Sequence, residues 1–244
     1  MGLNNFNVRI VLLLVIASCV QGSEYKITDQ VYFDIQIEDE FLGRIVFGLF
    51  GEIAPKTCKN FKELVEPGVN GKTYVGTKFH TALRKVMIQG GDIVNNDGTG
   101  SVSIYGEYFD DETFLIKHES AGLLAMANVG PDTNGCQFLI TTMACPWLDG
   151  KNVIFGKVLK GAGVVHKIER MKTDIYDQLV NHIFISNAGI IDTTPFYEKA
   201  KNYELTFWAW IKAGWFPLSF SFAILGFFQF IMAQLNKYEL TKLA

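Results

Sequence analysis

A dense cluster of turn-forming residues, Asn-Val-Gly-Pro-Asp-Thr-Asn-Gly at 128–135, lies between two apolar runs. Gly tolerates positive φ, Pro fixes φ near −65°, and Asn and Asp bond their own backbone, so such a cluster stops regular structure on both sides. The run before it, Leu-Leu-Ala-Met, and the run after it, Phe-Leu-Ile-Thr, carry the β-rich composition of buried strands. Residues 123–142 therefore read as strand, elaborate loop, strand, with Gln137 beside the loop. Any fold for this chain must accommodate a long, polar, rigid loop between two buried strands.

The surrounding chain suits that frame. Residues 31–37 and 44–50 alternate as strands, with a turn expected over 38–43. Residues 55–66 read as a helix with Pro55 in its first turn and Cys58, Phe61, Leu64 and Val65 on one face; Pro67-Gly68 ends it. Strand-like runs follow at 78–83, 85–90, 123–128, 137–142 and 153–158, a second helix at 164–171, and a closing strand at 182–186. Many short strands with two helices and no βαβ repeat point to an antiparallel barrel capped by helices.

The two ends differ from this body. Arg9 followed by the apolar run 10–20 and then Gln-Gly-Ser reads as a signal peptide over residues 1–22, too short to cross a bilayer. Residues 213–235 carry no charge, and as a helix they would rise about 35 Å against a hydrocarbon core of about 30 Å. Trp208, Trp210 and Trp215 gather at the start of that run and Tyr238 follows its end, as interfacial rings do. The expected order is signal peptide, body at 23–192, juxtamembrane linker at 193–212, transmembrane helix at 213–235 and cytoplasmic tail at 236–244. That makes a single-pass protein of the endoplasmic reticulum and secretory pathway with its body in the lumen.

A net charge of −3 gives no electrostatic case for a nucleic-acid partner. Beyond Cys19 in the expected signal peptide, Cys58, Cys136 and Cys145 are odd in number and match no zinc spacing. Free buried thiols are the expectation, and no metal or cofactor is expected.

Four blocks in one order resemble the cyclophilins. They are Met-Ala-Asn-x-Gly-Pro-x-Thr-Asn-Gly-x-Gln-Phe at 126–138, Phe79-His80 with Gln-Gly-Gly-Asp at 89–92, Gly-Thr-Gly-Ser-x-Ser-Ile-Tyr-Gly at 98–106, and Trp-Leu-Asp-Gly-Lys-x-Val-x-Phe-Gly-Lys-Val at 147–158. The resemblance covers roughly residues 25–192. It implies a mainly β fold, a closed eight-stranded antiparallel barrel capped by two helices. It also implies cis/trans isomerisation of X-Pro peptide bonds. The membrane-anchored layout and the run 88–106 look most like the photoreceptor branch of that family, whose client is an opsin.

An X-Pro bond turns over a barrier of about 18–20 kcal/mol without covalent chemistry. A catalyst has to seat the proline ring, grip the flanking backbone and favour the twisted amide. The resemblance assigns substrate contacts to Met87, Gln89, Gly98, Ala127, Asn128, Gln137, Trp147 and Leu148, with Gln89 and Asn128 closest to the chemistry. Four positions depart from the family. Thr81 stands where the family has the arginine that serves the twisted amide, Val86 and Leu139 stand where it has pocket phenylalanines, and Asn152 replaces a histidine. Arg84, three residues on along a strand, would point to the opposite face. His80, inside a strand beside Phe79, reads as structural. A Thr hydroxyl cannot replace a charged fork of donors, and losing one preorganised donor costs about 10²–10³ in rate.

The chain is thus expected to assist a membrane client, opsin-like, by binding its proline-containing segments, with weakened isomerase activity. A fully active isomerase and a non-catalytic chaperone or escort are the alternatives.

Overall fold

The computed structural model describes residues 25–197, together with residues 227–229 and 231–232, which are helical. The expected signal peptide, the tail and most of the expected span at 213–235 lie outside the described residues. No described helix is long and apolar enough to cross a membrane. Residues Glu24–Glu198 form one compact unit.

Eight strands make one antiparallel sheet in the order β4-β5-β7-β6-β8-β3-β2-β9. They are β2 (Asp29–Ile37), β3 (Glu40–Leu49), β4 (Phe79–Leu83), β5 (Met87–Gly90), β6 (Leu123–Met126), β7 (Phe138–Thr141), β8 (Ile154–Lys160) and β9 (Ile183–Ile191). A separate short pair joins β1 (Lys26–Ile27) to β10 (Phe196–Tyr197), so part of the segment read as a linker is paired strand. Two helices, α1 (Pro55–Val65) and α2 (Ala162–Glu169), complete the body.

The expected full closure of the barrel is corrected. The continuous ladder curls but leaves β4 and β9 as its edges. These edges meet at a single bridge, Lys78 with Phe184, supported by the Ile185 N–H on the Thr77 carbonyl at 2.9 Å and the Gly76 N–H on the Ile185 carbonyl at 2.7 Å. The turn expected over 38–43 is also shorter. Glu38 takes positive φ, and β3 resumes at Glu40 because Phe41 pairs with Gln36 and Gly43 with Ile35 across a bulge.

The core explains the abundance of phenylalanine. Phe61 on α1 packs against Phe33, Phe47, Tyr74, Phe138 and Phe155 with ring centroids 5.1–6.2 Å apart, and all six rings are fully buried. Each such ring contributes about 1.5–3 kcal/mol by burial alone. The predicted helical face of Cys58, Phe61, Leu64 and Val65 is the face that packs here. Cys58, Cys136 and Cys145 are all buried and free, and burial pushes the Cys58 thiol well above its ordinary value.

Register decides which residues look inward. Ala82, Ile88, Ile140 and Leu124 stand in line across β4, β5, β7 and β6 and are buried in the core. The neighbouring row, Thr81, Gln89, Leu139 and Ala125, faces the other way. Ala125 and Leu139 join Ile116, Leu123 and Ile154 in a second apolar cluster, against which Met87 and Leu148 pack.

Candidate active site

Over that outward row opens a cavity of about 660 Å³, floored by Met87, Ala127, Leu139 and Leu148, walled by Phe114 and Asn152, and edged by Gln89 and Asn128. The loop 128–131 and residues Asp111, Gly150 and Lys151 complete the rim. A smaller cavity of about 80 Å³ adjoins it and shares Gln89, Ala127, Asn128 and Val129; Gly98, Gly100, Tyr108 and Gln137 are among its other walls. Gln89 and Asn128 thus form a polar shelf between two recesses.

The shelf is held from behind. Gln137 donates both amide hydrogens to backbone carbonyls, of Gly98 at 2.9 Å and Gly100 at 2.8 Å. Its Oε1 accepts from Gln89 Nε2 at 2.9 Å. Asn128 Nδ2 donates to the Lys151 carbonyl at 2.7 Å. Gln89 Oε1 and Asn128 Oδ1 have no protein partner among the described residues, and each can accept an N–H from an extended peptide. The resemblance gave Gln137 a substrate contact; three of the four hydrogen bonds its side chain can make go to the protein and fix Gln89 and the Gly98–Gly100 backbone.

That backbone is fixed in turn by Asp92. Its carboxylate accepts the N–H groups of Val94, Asn95, Asp97, Gly98 and Gly100 at 2.9–3.2 Å. Burial raises its pKa, but the backbone donors win and hold it at about 2. Gly98 sits at φ +94°, where an added Cβ would fall 2.5 Å from the buried His80 ring. His80 is therefore packing, as expected, and burial keeps it neutral.

The opposite rim depends on Asp149, which accepts the His118 N–H at 2.8 Å and stands 3.0 Å from His118 Nδ1. Burial lowers the pKa of His118, so the ring is neutral and donates from Nδ1. This pins the turn carrying Leu148 and Gly150. Asn152 donates to the Met126 carbonyl at 2.9 Å, tying the start of β8 to the end of β6.

The expected site residues divide. Met87, Gln89, Ala127, Asn128, Leu139, Leu148 and Asn152 line the larger cavity, and Gly98 and Gln137 the smaller. Val86 and Trp147 line neither. Val86 stands in the turn before β5, its carbonyl taken by the Thr142 N–H at 2.9 Å. Trp147 is half-exposed on the 3-10 turn Pro146–Leu148. Thr81 is half-buried opposite Gln89, and its Oγ1 accepts from Gln178 Nε2 at 3.3 Å. Arg84 is away from the cavity for a reason other than strand parity: β4 ends at Leu83, and Arg84 is exposed in the following turn. Phe114 was missed. It lies in an irregular segment without periodicity, where no pattern marks which residue turns inward.

Among the described residues that line it, the cavity holds no nucleophile–base pair. Its carboxylate, Asp111, is occupied by the Asn134 amide at 2.8 Å and the Asp132 N–H at 3.0 Å. An apolar recess beside a shelf of amide groups can seat a compact ring and hold extended backbone, which is the non-covalent work an X-Pro bond requires.

Residues 32–190 match the family described as cyclophilin type peptidyl-prolyl cis-trans isomerase/CLD. The peptidyl-prolyl cis-trans isomerase, rhodopsin-specific isozyme, of Calliphora vicina is 47% identical over 94% of this chain and 97% of its own length. Peptidyl-prolyl cis-trans isomerase D of Saccharomyces cerevisiae is 47% identical over 71% of this chain and 77% of its own. A crystal structure of a cyclophilin type isomerase from Cryptosporidium parvum superposes with a TM-score of 0.61 at 36% identity, covering 68% of this chain and 99% of that one. With the curled sheet, its two helices and the apolar cavity beside Gln89 and Asn128, these matches lead to one conclusion: the chain belongs to the cyclophilin-type peptidyl-prolyl cis-trans isomerase family.

Proposed function

We propose that this chain is a membrane-anchored cyclophilin of the secretory pathway that binds X-Pro segments of an opsin-like client and isomerises them slowly. The observation that carries the reading is the cavity itself. The apolar walls and the amide shelf for binding are present, whereas the position of the family arginine holds Thr81, engaged with the neutral Gln178. Both features support retained binding with reduced turnover. The signal-like run 1–22 and the uncharged run 213–235 support the anchor, with the body in the lumen of the endoplasmic reticulum. The match to the Calliphora isozyme extends over 94% of the chain, beyond the isomerase domain alone, and the name of that relative supports an opsin as client. A chaperone or escort without turnover is the second reading, favoured by the same Thr81. Measuring peptide affinity and isomerisation rate on one preparation separates them: tight binding with measurable slow turnover supports the proposal, binding without turnover the escort, and turnover like that of an arginine-containing relative neither.

A further inference from the structure

A third cavity, of about 750 Å³, opens where the β4–β5 turn meets the end of α2. Arg84 and Lys85 rim it from the turn, Arg170 and His166 from the helix, and Glu169 and Thr142 form its floor. Glu169 is buried and fully engaged: Oε1 accepts the Lys85 N–H and the Thr142 hydroxyl, both at 2.6 Å, and Oε2 stands 3.0 Å from His166 Nδ1. Nothing in this arrangement uses the side chains of Arg84, Lys85 or Arg170. Each is exposed, and none has an ion-pair partner among the described residues. Three cations without an ion-pair partner among the described residues, around one satisfied carboxylate, make a positive basin on a chain whose net charge is −3.

The basin is next to the candidate active site. Lys85 precedes Met87 by two residues, and Thr142 follows Thr141, the cross-strand partner of Met87. At about 3.3 Å per strand residue, the four steps from Lys85 to Gln89 span at most about 13 Å. An extended peptide covers that distance in about four residues.

We propose that the basin takes an acidic side chain of the client, three to five residues from the proline seated in the apolar cavity, and so selects among X-Pro segments. The inference rests on the X-Pro reading above. Charge complementarity identifies the occupant, since an aspartate or glutamate carboxylate matches the free guanidinium groups of Arg84 and Arg170.

The test uses the full-length chain in neutral detergent and fluorescence anisotropy of labelled peptides. A parent peptide carries one central Ala-Pro and otherwise neutral residues. A series places Glu at each position up to five residues on either side, and a matching series replaces the proline with alanine. At one register, Glu should tighten binding by about three- to tenfold at low salt, as a few partly screened charge pairs allow, and the gain should shrink at high salt. Arg84→Ala with Arg170→Ala should erase that gain and leave the neutral parent unchanged. No gain at any register, or a gain that survives the double variant, overturns the proposal. Saturable binding of glycerol phosphate that depends on Arg84 and Arg170, without a Glu gain, also overturns it and assigns the basin to a phosphate headgroup. Should the parent and its alanine counterpart bind alike, the X-Pro reading fails separately, because the Glu gain is still read in the alanine series.

Discussion

Gln137 makes the difference between contacting a substrate and positioning the group that does. All three of its side-chain hydrogen bonds go to Gln89, Gly98 and Gly100. Gln137→Ala should therefore release the shelf and raise the Kd of a proline peptide about tenfold, within the usual worth of one to two lost hydrogen bonds. Gln137→Glu adds a discriminating arm: it cannot donate to the two carbonyls and should also weaken binding, whereas a direct donor to substrate would leave the Gly98–Gly100 amide resonances in place when removed. Asp92 acts one step further back. Its pKa in the fold is about 2, below the ordinary carboxylate value of about 3.9. Ionised Asp92 therefore stabilises the fold above about pH 4, and that contribution disappears as pH falls through about 2. Thermal unfolding should show Asp92→Asn well below wild type at pH 7, with the gap narrowing between pH 4 and pH 2. A constant gap would mean that the carboxylate charge is irrelevant to the loop.

The start of α1 shows an element completed from a distance. Ala54 at its N-cap offers no side-chain acceptor. Glu112, far along the chain, supplies both oxygens to the Lys56 and Thr57 N–H groups at 2.9 and 2.8 Å. Removing an N-terminal acceptor costs about 0.5–2 kcal/mol, and the helix dipole favours a negative one. Glu112→Ala should destabilise the body by about 1 kcal/mol in urea unfolding, with Glu112→Gln in between; no change would show that water replaces the carboxylate. Such long-range partners mark the boundary of what local pattern reveals. The apolar face of α1, the strand pairs flanking 128–135 and the structural His80 were legible because periodicity and turn chemistry are local. The way β4 and β9 come together was not, since the bridge from Lys78 to Phe184 and the bonds from residues 177–179 to β4 depend on curvature accumulated over eight strands. Of the residues that line the larger cavity, Met87, Gln89, Ala127, Asn128 and Leu148 were legible through motif and Leu139 and Asn152 as departures from it, whereas Phe114 was hidden in an irregular segment. Val86 and Trp147, assigned through the resemblance, line neither cavity.

For the whole molecule, the proposed layout places a lumenal body on a single C-terminal span. Protease added to sealed microsomes should then remove only a tail of roughly nine residues, since about 20 apolar residues suffice to cross and shield the rest. Digestion of the body in intact vesicles would reverse the topology. The separation of binding from turnover is tested most directly by a paired measurement on the full-length chain, the affinity and the cis/trans isomerisation rate of one X-Pro peptide. Three proteins are compared: wild type, Thr81→Arg, and a fourfold variant combining Thr81→Arg, Val86→Phe, Leu139→Phe and Asn152→His. The expected result is peptide binding by wild type with turnover at least about 100-fold below an arginine-containing relative, the loss that follows a missing preorganised donor. Thr81→Arg should recover part of the rate, and the fourfold change most of it, because residues acting as a unit are not additive. Wild-type turnover equal to that of the arginine-containing relative would contradict the proposal.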